Sequence, residues 1–288
     1  MKKILITGIS SYVGNSFEDW VVQKYKNYSI DKVSLRKSNW MNMNFSDYDV
    51  ILHVAGIAHV STNNNMKDLY YKINRDLTER IAKKAKNENV KQFIFLSSII
   101  VYGKENGTIN IDTVPNPDNF YGESKLQAEK LIQSLDSESF RVAIVRPPMI
   151  YGRGSKGNFK KLSKLASILP IFPEINNRRS MLHIDNLSEF LFALIKNQDS
   201  GIYFPQNREY INTTDLVTTI CRIKGKKIYV TRAFNPLILL FLNKSNILSK
   251  MFGDLKYDLN MSVYKEDYIC RDFLTSIRLT EMENESEN

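Results

Sequence analysis

The sequence predicts an α/β protein, with a doubly wound parallel sheet followed by a smaller C-terminal region. Short apolar segments typical of buried strands alternate with helical segments through the first half of the chain. This alternation favours a parallel sheet covered by helices on both faces. The chain has 288 residues, of which 43% are hydrophobic and 25% charged. These are globular proportions, and they exclude disordered, collagen-like and coiled-coil proteins.

The first half contains five predicted strands and three predicted helices. Apolar and β-branched runs predict the strands, which are Lys3–Thr7, Val33–Leu35, Val50–Ala55, Gln92–Leu96 and Arg141–Val145. Apolar residues at helical spacing predict the helices, which are Tyr12–Lys26, Lys67–Lys86 and Gly122–Leu135.

The alternation of strands and helices ends after Arg146–Pro148. We interpret the second half of the chain as insertions into the first domain rather than as a separately folding unit. Its predicted elements are the helices Lys160–Leu169, Asp185–Lys196 and Thr213–Ile223, a short strand at Ile202–Phe204, and a helix over the apolar run Leu237–Leu242. The acidic end, Glu281–Asn288, is expected to fray. We therefore divide the chain into residues 1–152 and residues 153–288, and we expect segment 181–204 to return to the first region.

Charge and cysteine content narrow the class of partner. The net charge is +9, but it is spread along the sequence without a run of five basic residues, so neither nucleic-acid binding nor membrane binding is predicted. Cys221 and Cys270 form no disulfide framework and do not cluster with the histidines. We expect no metal site and a reducing, cytoplasmic location. The uncharged run Leu237–Leu242 is far shorter than the ~18 residues of a membrane span, so no membrane insertion is expected. The run is interpreted as a helix packed on the body of the protein, with contact to a membrane surface as the alternative.

A glycine pair marks the end of the first strand. Gly8 follows the strand and Gly14 opens the next helix, an arrangement in which the helix N-terminus holds the phosphates of a dinucleotide. Ser11 stands where a middle glycine is usual, and on its own the segment also fits an ordinary turn. The predicted cofactor loop comprises Gly8, Ser10, Ser11, Tyr12, Val13 and Gly14.

The residues after the second strand bear on the choice between NAD and NADP. An acidic residue there favours NAD because it binds the ribose hydroxyls. This chain has Arg36 and Lys37 instead, and a guanidinium suits a 2′-phosphate. NADP is favoured over NAD, although the two residues also fit a solvated surface pair.

A tyrosine and a lysine stand at the start of a predicted helix. Tyr121 and Lys125 are four residues apart and therefore share a helix face. A nearby ammonium favours the phenolate form of a tyrosine, which can then exchange a proton with a hydroxyl or ketone oxygen. Ser98 ends the fourth strand, where ligands bind in such sheets, and it is placed to serve the same oxygen.

Taken together, these motifs identify a family resemblance that covers roughly residues 1 to 200. The chain resembles the extended short-chain dehydrogenase/reductase superfamily, and within it the nucleotide-sugar epimerase/dehydratase branch of the UDP-glucose 4-epimerase type. The motifs are Gly8 and Gly14, His53–Gly56, Asn74, Phe95–Gly103, Tyr121–Lys125, Arg146–Pro147 and Ile150–Gly152. The resemblance implies a Rossmann-type fold over 1–152, a substrate-binding region over 153–288, and bound NAD or NADP.

The resemblance also implies roles for individual residues. Ser98, Tyr121 and Lys125 match the catalytic triad. Further matches to the cofactor site are Ala55, Gly56, Asn74 and Pro148, together with Tyr121 and Lys125. Matches to the substrate site are Ser98, Tyr121, Asn158 and Arg179, of which Asn158 faces the phosphates and Arg179 holds the diphosphate. His53 and His183 are interpreted as structural, and His59 is given no role.

The implied activity is hydride transfer at C4 of a UDP-hexose or UDP-N-acetylhexosamine. A 4,6-dehydratase places an acid pair directly after the hydroxyl residue of its triad. Here those positions hold Ile99 and Ile100, which cannot transfer protons, so 4,6-dehydratase activity is not expected. Two alternatives stay open: an NAD(P)H-dependent reductase of a UDP-4-keto-6-deoxy-hexose, and a non-catalytic NAD(P)-binding sensor or scaffold. The stretches Lys156–Asn158 and Asn177–Ser180 look like those of enzymes of surface-polysaccharide biosynthesis. The resemblance allows a homodimer.

Overall fold

The computed structural model describes residues 1–57, 66–242 and 245–282. The strands within these ranges are β1 (Lys2–Thr7), β2 (Tyr28–Val33), β3 (Val50–His53), β4 (Gln92–Leu96), β5 (Gly107–Ile109), β6 (Arg141–Val145), β7 (Met149–Tyr151), β8 (Ile171–Pro173), β9 (Met181–His183), β10 (Gly201–Tyr203), β11 (Tyr229–Thr231) and β12 (Leu255–Tyr257).

The helices within the same ranges begin with α1 (Tyr12–Lys24), α2 (Lys67–Tyr70) and α3 (Leu77–Asn87). A π-helical turn, Tyr71–Asp76, joins α2 to α3. The later helices are α4 (Phe120–Gln133), α5 (Asn158–Ile168), α6 (Ile184–Asn197), α7 (Thr213–Ile223), α8 (Asn235–Phe241), α9 (Asn246–Phe252) and α10 (Phe273–Glu281).

A parallel six-stranded sheet forms the centre of the molecule, in the order β10-β6-β4-β3-β1-β2. The chain runs from β1 to β2 on one side and then crosses to β3 on the other side. Strand order therefore reverses at β1, and a crevice opens beyond the carboxyl ends of β1 and β3, where ligands bind in such sheets. The fold is of the Rossmann type.

Each face of the sheet is covered by a separate apolar layer. On one face, α1 and α6 pack through Phe17, Val21, Phe190 and Leu191. On the other face, α3 and α4 contribute Ile81, Ala85, Ala128 and Ile132. Because β10 pairs with β6 in parallel register, segment 184–203 lies in the body of the sheet although it follows β7, α5, β8 and β9 in the chain. The domain boundary at residue 152 remains a prediction.

The C-terminal region has its own apolar cluster, in which α5, α7 and α10 pack around Phe172, Leu216 and Ile277. Three short parallel pairs join distant segments, namely β7 with β9, β8 with β11, and β5 with β12. The last pair binds Leu255–Tyr257 to Gly107–Ile109, so the C-terminal region is attached directly to the loop that follows β4. No helix in the described ranges is both long and apolar enough to cross a membrane.

The structure corrects several predicted boundaries. The second strand is Tyr28–Val33, not Val33–Leu35, and Arg36 therefore lies three residues beyond its end. This strand is at the sheet edge and carries polar Ser29, Asp31 and Lys32, so the apolar run after it was a misleading signal. The third strand ends at His53, which leaves Ala55 in the loop.

The structure also bears on the predicted helices and on the predicted C-terminal tail. A π-helical turn interrupts the helix predicted over 67–86. Helix α8 confirms the helix predicted at the apolar run 237–242, and Ile238 and Leu242 pack against the C-terminal cluster. Glu281 is the last residue of α10. The rest of the predicted tail, 283–288, and His59 lie outside the described residues.

Candidate active site

The predicted cofactor loop lies at the crevice between β1 and β3. Gly8 has a φ of +108°, a conformation that residues with a Cβ rarely adopt. A Cβ on Gly8 would stand 3.2 Å from the Cα of Ala55, and one on Gly14 would stand 2.9 Å from Cγ2 of Ile6. Both glycines are therefore required for the chain to pass this close to β3 and for α1 to pack on the sheet.

Ser11 has a structural reason to occupy the position of the middle glycine. It is the N-cap of α1, and its Oγ accepts a hydrogen bond from Gly14 N at 3.3 Å. Its carbonyl oxygen accepts from Asn15 N, which leaves the first-turn amides of Tyr12 and Val13 without an acceptor in the described part of the protein. Ser10 beside them is exposed. Free amides at a helix N-terminus form an anion-binding site.

The structure brings Ser98, Tyr121 and Lys125 together at the carboxyl edge of the sheet. Ser98 caps the 3-10 turn Ile99–Tyr102, and its Oγ accepts from Ile100 N at 3.3 Å. Tyr121 stands in the first turn of α4 and makes a side-chain hydrogen bond with Ser98. Its ring also lies beside that of Tyr70, with the centroids 6.3 Å apart.

Lys125 is buried, with 4% of its surface exposed. Its Nζ donates to Leu96 O at 2.9 Å and lies 3.2 Å from the place that a Cβ on Gly56 would take. A side chain at residue 56 would therefore crowd the ammonium, and its Cβ would stand only 2.9 Å from Asn74 Oδ1. Burial lowers the pKa of Lys125 to about 8, although Glu129 acts to raise it.

The pKa of Tyr121 moves in the direction opposite to the sequence-based expectation. Burial raises it to about 12, and the hydrogen bond with Ser98 only partly offsets that effect. The ammonium of Lys125 is directed at the Leu96 carbonyl rather than at the phenol. The protein's own groups thus favour the protonated form of Tyr121.

Asn74 connects the loop after β3 to the catalytic helix. It is fully buried within the π-helical turn, a feature that occurs often at functional sites. Its Oδ1 accepts from Ile57 N at 2.8 Å, and its Nδ2 donates to Ile57 O and to Ser124 Oγ. The contacts fix the loop that carries Ala55 and Gly56 relative to α4.

The other predicted site residues are more dispersed. Arg36 is exposed. Pro148 is buried between β6 and β7, next to Pro147, whose carbonyl accepts from Ile99 N. Asn158 begins α5 and is exposed. Arg179 Nη1 donates to the carbonyls of Gly253 and Ser249 at the end of α9, and burial lowers its pKa. No contact between described residues joins Asn158 or Arg179 to Ser98 or Tyr121.

Comparison with known proteins assigns a family. The sequence profile of the NAD dependent epimerase/dehydratase family matches residues 4–204. The chain belongs to this family. A UDP-glucose 4-epimerase of Vibrio cholerae is 28% identical, over 90% of this chain and 88% of the relative. An N-acetyl-alpha-D-glucosaminyl-diphospho-ditrans,octacis-undecaprenol 4-epimerase of Escherichia coli O157:H7 is 25% identical, over 87% and 81%.

A solved structure agrees with this assignment at the level of the fold. The UDP-glucuronic acid 4-epimerase from Bacillus cereus, in complex with NAD, superposes with a TM-score of 0.72. The match covers 97% of this chain and 95% of that protein, at 19% sequence identity. This epimerase/dehydratase family member therefore shares the complete fold of that enzyme.

The residues present fit the NAD(P) that membership of the epimerase/dehydratase family implies. Gly8 allows the turn after β1 to pass close to Ala55, and the amides of Tyr12 and Val13 are available for a pyrophosphate. No cluster of three or more His, Cys, Asp or Glu side chains in the described ranges has a geometry suited to a metal ion.

Glu129 and Arg146 form a buried ion pair that the sequence analysis missed in this family member. Arg146 Nη2 lies 2.5 Å from Glu129 Oε2, and both side chains are almost fully buried. Ser97 Oγ donates to Glu129, and Arg146 Nη1 donates to Tyr102 Oη at 2.9 Å. The signal was available, because residue 129 continues the four-residue spacing of 121 and 125 on one face of α4.

His53 occupies a second buried network. Its Nε2 lies 2.9 Å from Thr78 Oγ1, and its Nδ1 lies 2.6 Å from Thr7 Oγ1. Because Thr78 donates its hydroxyl proton to Asn74 O, the imidazole must carry its proton on Nε2 and accept from Thr7 at Nδ1. Burial, and then the charge of Lys125, lower the pKa of His53 to about 3. A neutral imidazole thus joins β1, β3 and α3, in agreement with a structural role.

Proposed function

We propose that this protein catalyses hydride-transfer chemistry at C4 of a UDP-hexose or UDP-N-acetylhexosamine, as an NAD(P)-dependent 4-epimerase. The observation that carries the proposal is the hydrogen-bonded pair of Ser98 and Tyr121, with Lys125 one helical turn away and beside Gly56. The pair lies at the crevice in which the cofactor loop ends. The two 4-epimerase relatives, each matching more than four-fifths of this chain, support the same reaction.

In the oxidative half of the reaction, Tyr121 Oη takes the proton of the C4 hydroxyl. Ser98 Oγ holds the same oxygen by a hydrogen bond and fixes its position against the phenol. NAD(P), when bound, supplies the acceptor and then the donor of the C4 hydride. In the reductive half, Tyr121 returns the proton to the oxygen of the 4-keto sugar.

Lys125 supplies the positive charge that the phenolate requires. With a pKa of about 8, it is mostly an ammonium at neutral pH, and opposite charge lowers the pKa of a neighbouring phenol. Lys125 lowers the pKa of Tyr121 further when Nζ turns from the carbonyl of Leu96 toward the phenol. Lys125 acts in this scheme on Tyr121 and on the cofactor ribose.

The diphosphate of the substrate is assigned to Asn158 and Arg179. The amide of Asn158 is exposed at the start of α5, and Arg179 is the basic side chain held at the end of α9. A guanidinium forms strong paired hydrogen bonds with phosphate oxygens. A sugar diphosphate is shared by nucleotide sugars and by the undecaprenol-linked sugar for which the Escherichia coli relative is named, so both classes belong in the substrate assay.

The protonated state of Tyr121 favours a second candidate, a 4-ketoreductase that uses NADPH. A phenol with a pKa of about 12 is ready to donate a proton to a ketone oxygen and needs no activation to do so. The exposed cation of Arg36 suits a 2′-phosphate. A non-catalytic sensor would not require the buried Lys125 beside Tyr121.

The test is an assay of the purified full chain for retained cofactor and for turnover. Tightly retained NAD(H), with interconversion of C4 epimers detected by proton NMR, supports the epimerase. Exchangeable NADP(H), with consumption of a 4-keto sugar, supports the reductase.

We predict that Tyr121→Phe lowers turnover by about 10²–10⁴-fold, because it removes the proton transfer, and leaves cofactor affinity nearly unchanged. Tyr71→Phe, in the neighbouring π-helical turn, is the control and should retain wild-type turnover. If Tyr121→Phe turns over within a factor of two of wild type, Tyr121 is not the catalytic acid or base.

A further inference from the structure

A group of large apolar side chains is exposed on one side of the C-terminal region. Ile168 is 64% exposed at the end of α5, Tyr229 is 72% exposed on β11, and Leu240 is 63% exposed on α8. Several neighbours are exposed to a lesser degree, namely Leu169, Ile171, Phe234 and Phe241. We call these seven residues, with Lys160, Lys161, Lys164, Lys226 and Lys227, the basic-apolar surface.

Specific contacts make this a continuous surface. Strands β8 and β11 pair so that Ile171 stands beside Tyr229, and side chains at paired positions point to the same face. Lys226 Nζ donates to Ser167 O, which ties the turn before β11 to the end of α5. Asn235 Nδ2 donates to Glu174 O, which ties α8 to the end of β8.

The fold brings together two basic segments that lie far apart in the sequence. Residues 151–173 carry five Lys and Arg and no Asp or Glu, and residues 222–253 carry seven and none. Acidic residues outside the segments neutralise part of this charge, since Lys224, Arg232 and Lys250 pair with Glu281, Glu174 and Glu105. The five lysines of the basic-apolar surface form no ion pair within the described residues. The pairing of β8 with β11 brings the two segments together. On α5, Lys160, Lys161 and Lys164 are exposed, opposite the buried Phe159 and Leu162.

We propose that the basic-apolar surface binds the headgroup region of an anionic lipid bilayer. Lysines attract an anionic membrane surface, and apolar and aromatic side chains between them can enter the boundary between headgroups and acyl chains. The contact is peripheral, in keeping with the lack of a helix long enough to span a membrane in the described ranges. This inference does not depend on the proposed catalytic activity.

Two other occupants match the surface less well. A twofold interface would bring the same surface of two copies together, and the five lysines of the basic-apolar surface would then face those of the other copy. Nucleic acid would satisfy the lysines, and its bases stack on aromatic rings, but it offers no comparable partner to the aliphatic Ile168 and Leu240. A bilayer satisfies both the charge and the apolar side chains.

The test measures binding of the full chain to lipid vesicles by flotation. We expect binding to vesicles of phosphatidylcholine mixed with phosphatidylglycerol, little binding to phosphatidylcholine alone, and a decrease as salt is raised. Each lysine near an anionic membrane contributes roughly fivefold to binding. Lys164→Glu/Lys227→Glu should therefore weaken binding by at least about tenfold, and Phe234→Ser/Leu240→Ser should weaken it comparably.

Matched controls are available on other surfaces. Lys26→Glu/Lys91→Glu makes the same change of charge at two exposed lysines elsewhere, and Val22→Ser/Val263→Ser removes two exposed apolar side chains. All variants should keep the thermal midpoint of wild type within a few degrees, which separates loss of binding from loss of folding.

Four outcomes would overturn the proposal: failure of the wild type to bind the anionic vesicles, equal binding to both lipid compositions, equal losses in the surface and control variants, and a solution dimer that Phe234→Ser/Leu240→Ser dissociates. Binding of single-stranded RNA that responds to the variants as vesicle binding does would assign the surface to nucleic acid instead. None of these readouts requires catalysis, so they are independent of the Tyr121 test.

Discussion

At the residue scale, burial sets the protonation of the two candidate catalytic side chains. It raises the pKa of Tyr121 and lowers that of Lys125, because the charged form of each loses hydration. The two pKa values, about 12 and about 8, therefore leave the phenol protonated and the lysine charged at neutral pH. Tyr121 must first lose its proton before it can accept one from the substrate hydroxyl. The protonated phenol can donate to a ketone oxygen directly.

We predict that Arg179→Ala raises the KM for a sugar diphosphate more than it lowers kcat. A contact with the diphosphate is made in the ground state and the transition state alike, so its loss weakens binding in both. The exposed neighbour Arg178 provides the matched control, Arg178→Ala, which should leave both constants unchanged. An unchanged KM together with a lower thermal midpoint would mean that Arg179 serves only to hold the carbonyls of Ser249 and Gly253.

We predict a modest preference for NADP over NAD, which Arg36→Ala abolishes. A hydrogen bond to a charged group is worth roughly 1.5–3 kcal/mol, which corresponds to about tenfold to a hundredfold in affinity. Calorimetric titration of both cofactors measures it, and Lys26→Ala controls for the loss of one positive charge. Equal or tighter binding of NAD by the wild type would favour stacking of Arg36 on the adenine, which serves both cofactors.

At the element scale, helix α4 organises the site. Asn119 caps its N-terminus by accepting from Gly122 N at 2.9 Å, and one of its faces presents residues 121, 125 and 129 at successive turns. The first of these reaches Ser98, the second lies beside Gly56, and the third pairs with Arg146 below them. The Glu129–Arg146 pair thus fixes α4 to β6 beneath the catalytic residues.

We predict that Glu129→Ala lowers the free energy of unfolding by about 3–5 kcal/mol, because it leaves the buried Arg146 guanidinium without its counter-charge. Urea unfolding measures the change. The control is Glu79→Ala, which breaks an exposed pair with Lys83 and should cost about 1 kcal/mol or less. A loss below about 1 kcal/mol for Glu129→Ala would show that Tyr102 alone satisfies Arg146.

Elements that are buried in the core were predicted from the sequence more accurately than elements at the edge of the sheet. Strands Gln92–Leu96 and Arg141–Val145 and helix Thr213–Ile223 were predicted to the residue, since buried apolar patterns define them. The edge strand Tyr28–Val33 was misplaced because its polar residues are tolerated where one side faces solvent. Ser98, Tyr121 and Lys125 were identified by motif. The spacing of 121, 125 and 129 places Glu129 on the same helix face, but its pairing with Arg146 and the network around His53 depend on contacts between elements, which no local pattern contains.

At the scale of the whole molecule, the distribution of charge differs most between sequence and structure. No run of five basic residues occurs, and from that pattern no membrane binding was predicted, although segments 151–173 and 222–253 carry twelve Lys and Arg and no Asp or Glu. Pairing of β8 with β11 joins two segments without acidic residues. Only the fold shows that these two basic segments lie side by side.

We predict that acid destabilises the molecule partly through His53. Its pKa in the folded protein, about 3, lies below the ordinary 6.5. Between these two pH values the imidazole is protonated in the unfolded chain and neutral in the folded protein. The contribution of His53 to stability is therefore complete above pH 6.5 and is lost as the pH falls toward about 3, by at most about 1.4 kcal/mol per pH unit.

Urea unfolding at several pH values between neutrality and mild acid tests this prediction. His53→Gln should lower stability at neutral pH and give a shallower loss in acid. Thr78→Val removes a hydrogen-bond partner but keeps the imidazole, so it should lower stability while retaining the wild-type slope. Parallel slopes for wild type and His53→Gln would contradict the prediction.

The late position of α6 and β10 in the chain has a consequence for biosynthesis. About 60 residues separate β6 from its sheet partner β10, and at roughly 5–20 residues per second a ribosome takes about 3–12 s to add them. Throughout that interval the apolar face of α1, with Phe17 and Val21, has no α6 to cover it. The nascent chain therefore exposes an apolar surface that chaperones can bind. Translation must pass residue 203 before β10 can pair with β6 and complete the central sheet.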